Sequence, residues 1–154
     1  MASIELKPLE DTHAQPIALL LDNKRIWDNL KDYIPHPYAI EDAIRFIELC
    51  KKQSPKSTFS IMYNQELVGI IGLQTQTDIY RLSAELGYWI GEPYWGQGIG
   101  KQAIALISEY GFNTLNLERI YAGVFEFNKA SMKVLEKNGY QKEVIARNAV
   151  IKNG

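Results

Sequence analysis

A glycine-rich turn at residues 94–101 constrains this chain more than any other feature of its sequence. It reads YWGQGIGK, follows an apolar stretch typical of a strand, and opens an amphipathic helix. Glycines at every second position leave a run of backbone N–H groups uncovered, and the positive end of the helix lies beside them. The turn therefore predicts a binding site for a phosphate or pyrophosphate group between a strand and a helix.

The spacing of the glycines decides which phosphate ligands fit this turn. A P-loop needs glycine where Trp95 lies and Ser or Thr where Gln102 lies. The dinucleotide-binding fingerprint needs a third glycine where Lys101 lies. The sequence matches neither motif, so a nucleotide-binding protein is disfavoured.

The composition is that of an ordinary protein domain and argues against several other classes. The chain has 154 residues, of which 46% are apolar and 23% charged, so we expect a single domain. A formal net charge of −1 argues against nucleic acid as a partner. No apolar run reaches the roughly 18 residues of a membrane span, and no signal-peptide pattern is seen, so a cytoplasmic protein is predicted. Cys50 and two histidines predict a packed thiol and no metal.

Apolar periodicity and turn signals predict a mixed α/β domain with the element order β-α-α-β-β-β-α-β-α-β. The predicted strands are residues 4–6, 58–63, 67–74, 82–90, 119–125 and 144–151. The predicted helices are residues 11–21 with 24–30, then 40–51, 98–112 and 128–138. Asn128 is the predicted N-cap of the last helix, and Gly139 is predicted to end it in a left-handed conformation.

The chain stops at Asn153-Gly154, a two-residue hairpin signal with no strand after it. One interpretation is a short disordered tail. The other is that the sequence is truncated at its C-terminus, or that the partner strand comes from another molecule. The unpaired strand makes a homodimer worth testing.

Four patches of sequence, taken together and in order, carry a resemblance to a known family. They are PHPY at residues 35–38, AELGYWIG at 84–91, YWGQGIG at 94–100, and NKAS at 128–131 with KNGY at 137–140. In these patches the chain resembles the GNAT superfamily of acetyl-CoA-dependent N-acetyltransferases. It looks most like the branch of ribosomal-protein N-terminal acetyltransferases, and the resemblance covers residues 4–154.

The resemblance implies a twisted mixed sheet whose fourth and fifth strands splay apart, here residues 82–90 and 119–125. The pantetheine arm of acetyl-CoA would lie between them. The family's last strand is missing here, so residues 144–151 are expected to pair differently, to swap or to be disordered. The family's general motif carries Gln or Arg at the position of Trp95, whereas this branch usually carries Trp-Gly. The residues implied in binding acetyl-CoA are Trp89, Ile90, Gln97, Gly98, Ile99, Gly100, Lys101, Gln102 and Asn128.

The resemblance also implies catalytic roles. Glu85, on the splayed strand, is the predicted general base, acting directly or through a water. A backbone N–H near Trp89 or Ile90, where the family's strand bulges, would bind the oxyanion. Many superfamily members use a tyrosine acid where this chain has Leu135, but the branch carries serine at Ser131. Ser131 is therefore the predicted acid or hydrogen-bond donor to the sulfur, or else it only supports the helix start.

The predicted reaction is direct transfer of an acetyl group from acetyl-CoA to a primary amine. Tyr38 and Trp89 are predicted to contact the acceptor. Neutralising a protein N-terminal α-amino group at pH 7 costs about 1 kcal/mol, against about 4.6 kcal/mol for a lysine, so the α-amino group of a ribosomal protein is the preferred acceptor. The alternatives are a small-molecule amine (polyamine, amino acid or aminoglycoside) as acceptor, or a non-catalytic CoA-binding module.

Overall fold

The computed structural model describes residues 3–152 and 154 and has a mixed α/β architecture. Its strands are β1 (Ile4–Pro8), β2 (Thr58–Tyr63), β3 (Glu66–Thr75), β4 (Ser83–Ile90) and β5 (Arg119–Tyr121). Its α-helices are α1 (Ala14–Leu21), α2 (Lys24–Trp27), α3 (Ile40–Lys51), α4 (Ile99–Asn113) and α5 (Lys129–Lys137). Short 3-10 turns lie at Asp11–His13, Asp78–Tyr80 and Glu92–Tyr94.

The five strands form one sheet in the order β1-β2-β3-β4-β5. The first three pairings are antiparallel, and β4 pairs with β5 in parallel, with α4 as the crossover between them. This mixed sheet confirms the predicted fold class. The register shifts between β2 and β3, at Ile61 and Met62. The β3–β4 register runs without a shift up to the pair Gly69–Ile90, so the bulge expected near Trp89 is not found in that ladder.

Each face of the sheet is covered by its own hydrophobic core. One core joins β-strand residues such as Ile71 and Leu86 to Ile104 and Ile107 of α4 and to Leu135 of α5. The other joins β-strand residues to α1 and α3, and its buried members include Ile17, Ile47, Ile70, Tyr38 and Trp89. Because side chains alternate along a strand, Leu86 and Trp89 of β4 contribute to opposite cores.

Two predicted strands differ from the structure near the C-terminus. The strand predicted at 119–125 ends at Tyr121, and residues 144–151 form no strand. Four large apolar side chains of that segment are exposed, namely Val144, Ile145, Val150 and Ile151. A strand needs a neighbour with an open hydrogen-bonding edge, and β5 offers only three residues. The homodimer stays a prediction.

Gly69 lies at a close approach of β3 to the backbone of β4. A Cβ atom at Gly69 would lie 2.3 Å from the backbone oxygen of Trp89, which the sheet holds in place. We expect Gly69→Ala to lower the free energy of unfolding by about 1–3 kcal/mol, because the backbone must shift to relieve the overlap. Urea unfolding followed by circular dichroism measures this change. Gly87→Ala is the matched control on β4, since a Cβ there meets nothing within 4 Å. Equal losses for both variants would contradict the steric explanation.

Candidate active site

The open edge of β4 is the centre of the candidate site. β4 and β5 pair only at Ser83–Arg119, Ala84–Ile120 and Glu85–Tyr121. Beyond them, residues 86–90 of β4 pair with β3 on one side, while no described residue pairs as a strand on the other. The fourth and fifth strands therefore splay apart, as predicted. The gap leaves backbone groups of β4 available to an extended ligand, in the way that a sheet edge accepts an added strand.

The glycine turn lies at the end of β4 and leads into α4. Gly96 and Gly98 have φ angles of +76° and +78°, a left-handed conformation that favours glycine. Gly98 is the N-cap of α4, and no side chain caps the helix there. The indole N–H of Trp95 donates to the backbone oxygen of Ile90 at 2.8 Å. This hydrogen bond fastens the turn to the end of β4.

The residues predicted to bind the pyrophosphate differ in what they can offer. Gln97, Gly98 and Lys101 are exposed, whereas the side chain of Ile99 is buried in the core, so that only its backbone can serve. The N–H of Gln102 donates to the oxygen of Gly98 at 3.2 Å and is therefore used inside the helix. The amides of the first helical turn, ahead of Gln102, are left as the donors for an anion.

Glu85 is held in an ion pair. Its carboxylate accepts a hydrogen bond from the ammonium of Lys31 at 2.9 Å, and the Glu85 side chain is 23% exposed. The hydrogen bond to Glu85 raises the pKa of Lys31, so the lysine stays charged. A Cβ built on Gly123 would lie 3.5 Å from Oε2 of Glu85, so the carboxylate lies beside the chain that follows β5.

Ser131 lies in the first turn of α5 and is positioned by two contacts. Its N–H donates to Oδ1 of Asn128 at 3.3 Å, which confirms Asn128 as the N-cap of this helix. Its hydroxyl oxygen lies 2.9 Å from the hydroxyl oxygen of Tyr88 on β4. Burial raises the pKa of Tyr88, and the hydrogen bond with Ser131 offsets part of that rise. Tyr88 therefore keeps its proton at neutral pH and can donate it to Ser131.

Neither Tyr88 nor Lys31 is among the site residues predicted from the sequence. The alternation of β4 carries a signal for Tyr88, because it places this residue on the same face as Leu86, toward α4 and α5. Lys31 lies 54 positions from Glu85, in a loop, and nothing in the local sequence indicates their contact. Only the folded chain brings Lys31 and Glu85 together.

The predicted base and the predicted acid lie on opposite faces of the sheet. Glu85 and Trp89 share the face of β4 that is covered by α1 and α3, because they are four residues apart on one strand. Tyr88 and Ser131 lie on the face covered by α4 and α5. An acyl group in the gap would have a carboxylate on one side and a hydroxyl pair on the other.

Tyr38 and Trp89, predicted to contact the acceptor, belong to one buried core. Tyr38 is 7% exposed and Trp89 is 9% exposed. Burial raises the pKa of Tyr38 to about 12, and its backbone N–H donates to Oδ1 of Asp22 at 3.0 Å. Because so little of either ring is exposed, each ring could contribute only a small area to an acceptor site. Their role stays a prediction.

Three further features bear on the chemistry. The thiol of Cys50 is buried, which confirms the packed thiol, and burial raises its pKa to about 11. Within residues 3–152 and 154, no group of three or more potential ligands is placed to hold a metal ion. Over the same residues, no helix is long and apolar enough to cross a membrane.

Comparison with known proteins places this architecture in a family. The sequence matches the acetyltransferase (GNAT) domain over residues 3–141. It is 32% identical to the probable N-acetyltransferase YjcK of Bacillus subtilis, covering 99% of this chain and 88% of that protein. It is 31% identical to the uncharacterized N-acetyltransferase YoaA of the same organism, covering 97% of this chain and 85% of that protein. The chain belongs to the GNAT family and is an acetyl-CoA-dependent N-acetyltransferase.

More distant relatives and solved structures are also acetyltransferases by name. Two Escherichia coli relatives are a ribosomal-protein-serine acetyltransferase, 25% identical over 90% of this chain and 79% of its own, and a spermidine N(1)-acetyltransferase, 26% identical over 92% and 74%. The microcin C7 self-immunity acetyltransferase MccE, solved with acetyl-CoA and AMP, has a TM-score of 0.83 at 26% identity, covering 98% of this chain and 86% of that one. RimL, solved with coenzyme A, has a TM-score of 0.84 at 22% identity, covering 100% and 89%, and shares the fold.

The glycine turn offers a direct test of the donor site. In Gly98→Ala the backbone at the N-cap of α4 must keep a left-handed conformation that an L side chain disfavours, so the turn that presents the helix amides to an anion is strained. We expect acetyl-CoA to bind about tenfold more weakly or worse, the equivalent of one lost charge-assisted hydrogen bond. Isothermal titration calorimetry measures this. Gly139→Ala is the control, since Gly139 has a φ of +85° in the loop after α5. Weaker acetyl-CoA binding in both variants would mean that strain, not the turn itself, is responsible.

Proposed function

We propose that the acceptor of this enzyme is a protein N-terminal α-amino group, such as that of a ribosomal protein. The observation that carries the proposal is the open edge of β4, with Glu85 on one face and the Tyr88–Ser131 pair on the other. A single partly exposed carboxylate suits an α-amine, whose neutralisation at pH 7 costs only about 1 kcal/mol. The similarity to a ribosomal-protein-serine acetyltransferase supports the same choice.

Donor binding rests mainly on backbone groups in this proposal. The amides of residues 97–101 would hold the pyrophosphate of acetyl-CoA, with Lys101 adding positive charge. Each charge-assisted hydrogen bond contributes about 1.5–3 kcal/mol, so a few of them anchor the donor without side-chain specificity. The open edge of β4 and the side chain of Asn128 would hold the pantetheine arm.

Glu85 acts as the general base in the proposed mechanism, directly or through a water. The acceptor arrives as an ammonium ion and exchanges with Lys31 as the partner of the Glu85 carboxylate. The carboxylate takes one proton and passes it to solvent, and the neutral amine attacks the thioester carbonyl. The carboxylate then takes the second proton from the nitrogen as the tetrahedral intermediate collapses to the amide and the C–S bond breaks. The backbone N–H of Ile90, on the open edge of β4, donates to the oxyanion that forms, whereas Gly91 and, by alternation, Trp89 direct theirs toward β3.

Ser131 acts as the acid that protonates the leaving sulfur. Its hydroxyl donates to the thiolate while Tyr88 donates to Ser131, and Tyr88 recovers its proton from solvent. A thiol has a pKa of about 8.5, so this proton transfer helps the reaction without dominating it. Because burial raises the pKa of Tyr88, we expect no loss of kcat from its deprotonation below about pH 10.

The proposal is tested with an acetyl-transfer assay on peptides that begin with Ser or Ala. Glu85→Gln should lower kcat by about 100-fold or more at pH 7, because a general base typically contributes 100- to 10,000-fold. The loss should shrink as the pH rises toward the acceptor pKa, where the amine is already neutral. A loss that does not change with pH would assign Glu85 a structural role.

Ser131→Ala and Tyr88→Phe should each lower kcat by about tenfold or more with little change in KM, since the hydroxyls act on the leaving group. The double variant should lose little more than either single variant, because the two hydroxyls act as one unit. The controls are Ser108→Ala and Tyr140→Phe, which break a similar hydroxyl pair of 2.8 Å between α4 and the loop after α5. Additive losses, or equal losses in the controls, would contradict the proposed relay.

A small-molecule amine is the second candidate acceptor. The observation in its favour is the similarity to a spermidine N(1)-acetyltransferase, which is as high as the similarity to the ribosomal-protein enzyme. A panel of N-terminal peptides, spermidine and amino acids, compared by kcat/KM, separates the two acceptor classes. A preference for spermidine over every peptide would replace the protein N-terminus as the acceptor.

A further inference from the structure

The ammonium group of Lys152 lies in a cage formed by the Trp27 ring and the Asp32 carboxylate. Its Nζ atom is 3.8 Å from the centroid of the Trp27 ring and 3.0 Å from Oδ1 of Asp32. The Lys152 side chain is only 15% exposed. An aromatic face with a carboxylate beside it is a typical binding site for an organic cation. We call these two groups the ammonium cage.

The aromatic wall of the cage is held by contacts that do not involve Lys152. The indole N–H of Trp27 donates to the backbone oxygen of Ile34 at 2.8 Å. The ring of His36 stacks on the Trp27 ring, with centroids 4.9 Å apart and planes 21° from parallel. The loop that follows α2 therefore fixes the orientation of the Trp27 ring, so the aromatic wall does not depend on Lys152.

Lys152 fills the cage with incomplete hydrogen bonding. Its Nζ is shielded from solvent, yet among the described residues no acceptor meets it in hydrogen-bond geometry, although Asp32 is at ion-pair distance. An ammonium group has three donors, and leaving buried donors unpaired is costly. A cation that enters with water, or with a better alignment to Asp32, can therefore compete with Lys152.

The cage is linked to the predicted base through two consecutive residues of one loop. Asp32 follows Lys31, whose ammonium donates to Glu85, and consecutive Cα atoms are only about 3.8 Å apart. One short loop thus presents a cation to Glu85 and an anion to Lys152. A ligand with two amines could place one of them at Glu85 and the other in the cage.

We propose that the ammonium cage binds an alkylammonium group of the acceptor, and that Lys152 is the internal occupant that this group displaces. The group is either a lysine side chain near the N-terminus of a protein acceptor or the second amine of a polyamine. The assignment of the ligand as the acceptor rests on the proposed function, whereas the cage itself does not.

Binding is measured first, by calorimetry without acetyl-CoA, with spermidine as the probe and 1,4-butanediol as the uncharged control. Lys152→Met removes the competing charge and keeps most of the side-chain length. It should tighten spermidine binding by about tenfold, the scale of a desolvated cation–π contact. Asp32→Asn and Trp27→Phe should weaken it. Lys142→Met is the matched control, because Lys142 is an exposed lysine in the same C-terminal segment, and it should change nothing.

The source of the group is identified with the acetyl-transfer assay. Peptides beginning with Ser or Ala carry either lysine or norleucine at the second or third position. A lower KM for the lysine peptides, lost in Asp32→Asn, identifies a protein acceptor. A lower KM for spermidine than for butylamine, lost in the same variant, identifies a polyamine.

Failure of the cage and failure of the proposed function give different results. Spermidine binding that is unchanged in Lys152→Met, Asp32→Asn and Trp27→Phe would overturn the cage, whatever the turnover. Cage-dependent binding with no turnover of any amine would leave the cage in place and overturn the proposed function. If spermidine binding depends on the cage but turnover is the same for acceptors with and without a second amine, the assignment of the ligand as the acceptor is overturned.

Discussion

The short parallel pairing between β4 and β5 is the constraint on which the rest of the site depends. It ends at the pair Glu85–Tyr121, and from there the two chains diverge. α4 packs closely against this corner, where a Cβ at Gly111 would lie 2.8 Å from side-chain atoms of Ile120 and Leu73. The close approach holds β5 under the helix while its continuation leaves the sheet. Without that divergence, the edge of β4 would be paired and no ligand could reach its backbone groups.

The divergence also separates two chemical environments. On one face, a carboxylate is paired with the ammonium of Lys31, in a partly exposed position. On the other face, the hydroxyls of Tyr88 and Ser131 form a partly buried pair behind the first turn of α5. In the proposed mechanism, the carboxylate removes a proton and the hydroxyl pair donates one. The alternating side chains of β4 place Glu85 and Tyr88 on the two faces of the sheet.

Local signals in the sequence predicted much of the fold and part of the site. The glycine turn, α4, the cap at Asn128 and the left-handed Gly139 all depend on residues close to one another in the chain. Long-range contacts could not be predicted, and the ion pair of Lys31 with Glu85 is an example. The apolar residues at 144–151 predicted a strand, but apolar residues form a strand only where a neighbouring edge exists. The length of β5 likewise depends on how α4 packs.

The indole of Trp95 links the glycine turn directly to the end of β4. Its hydrogen bond to the oxygen of Ile90 joins the turn that would hold the pyrophosphate to the strand end that would hold the thioester. A shift of the turn must therefore either move the end of β4 or break that bond. In the proposed mechanism, this side chain therefore adds to the backbone of residues 91–94 a second link between the two ends of the donor site. A donor bound at both ends would then set the geometry that the acceptor meets.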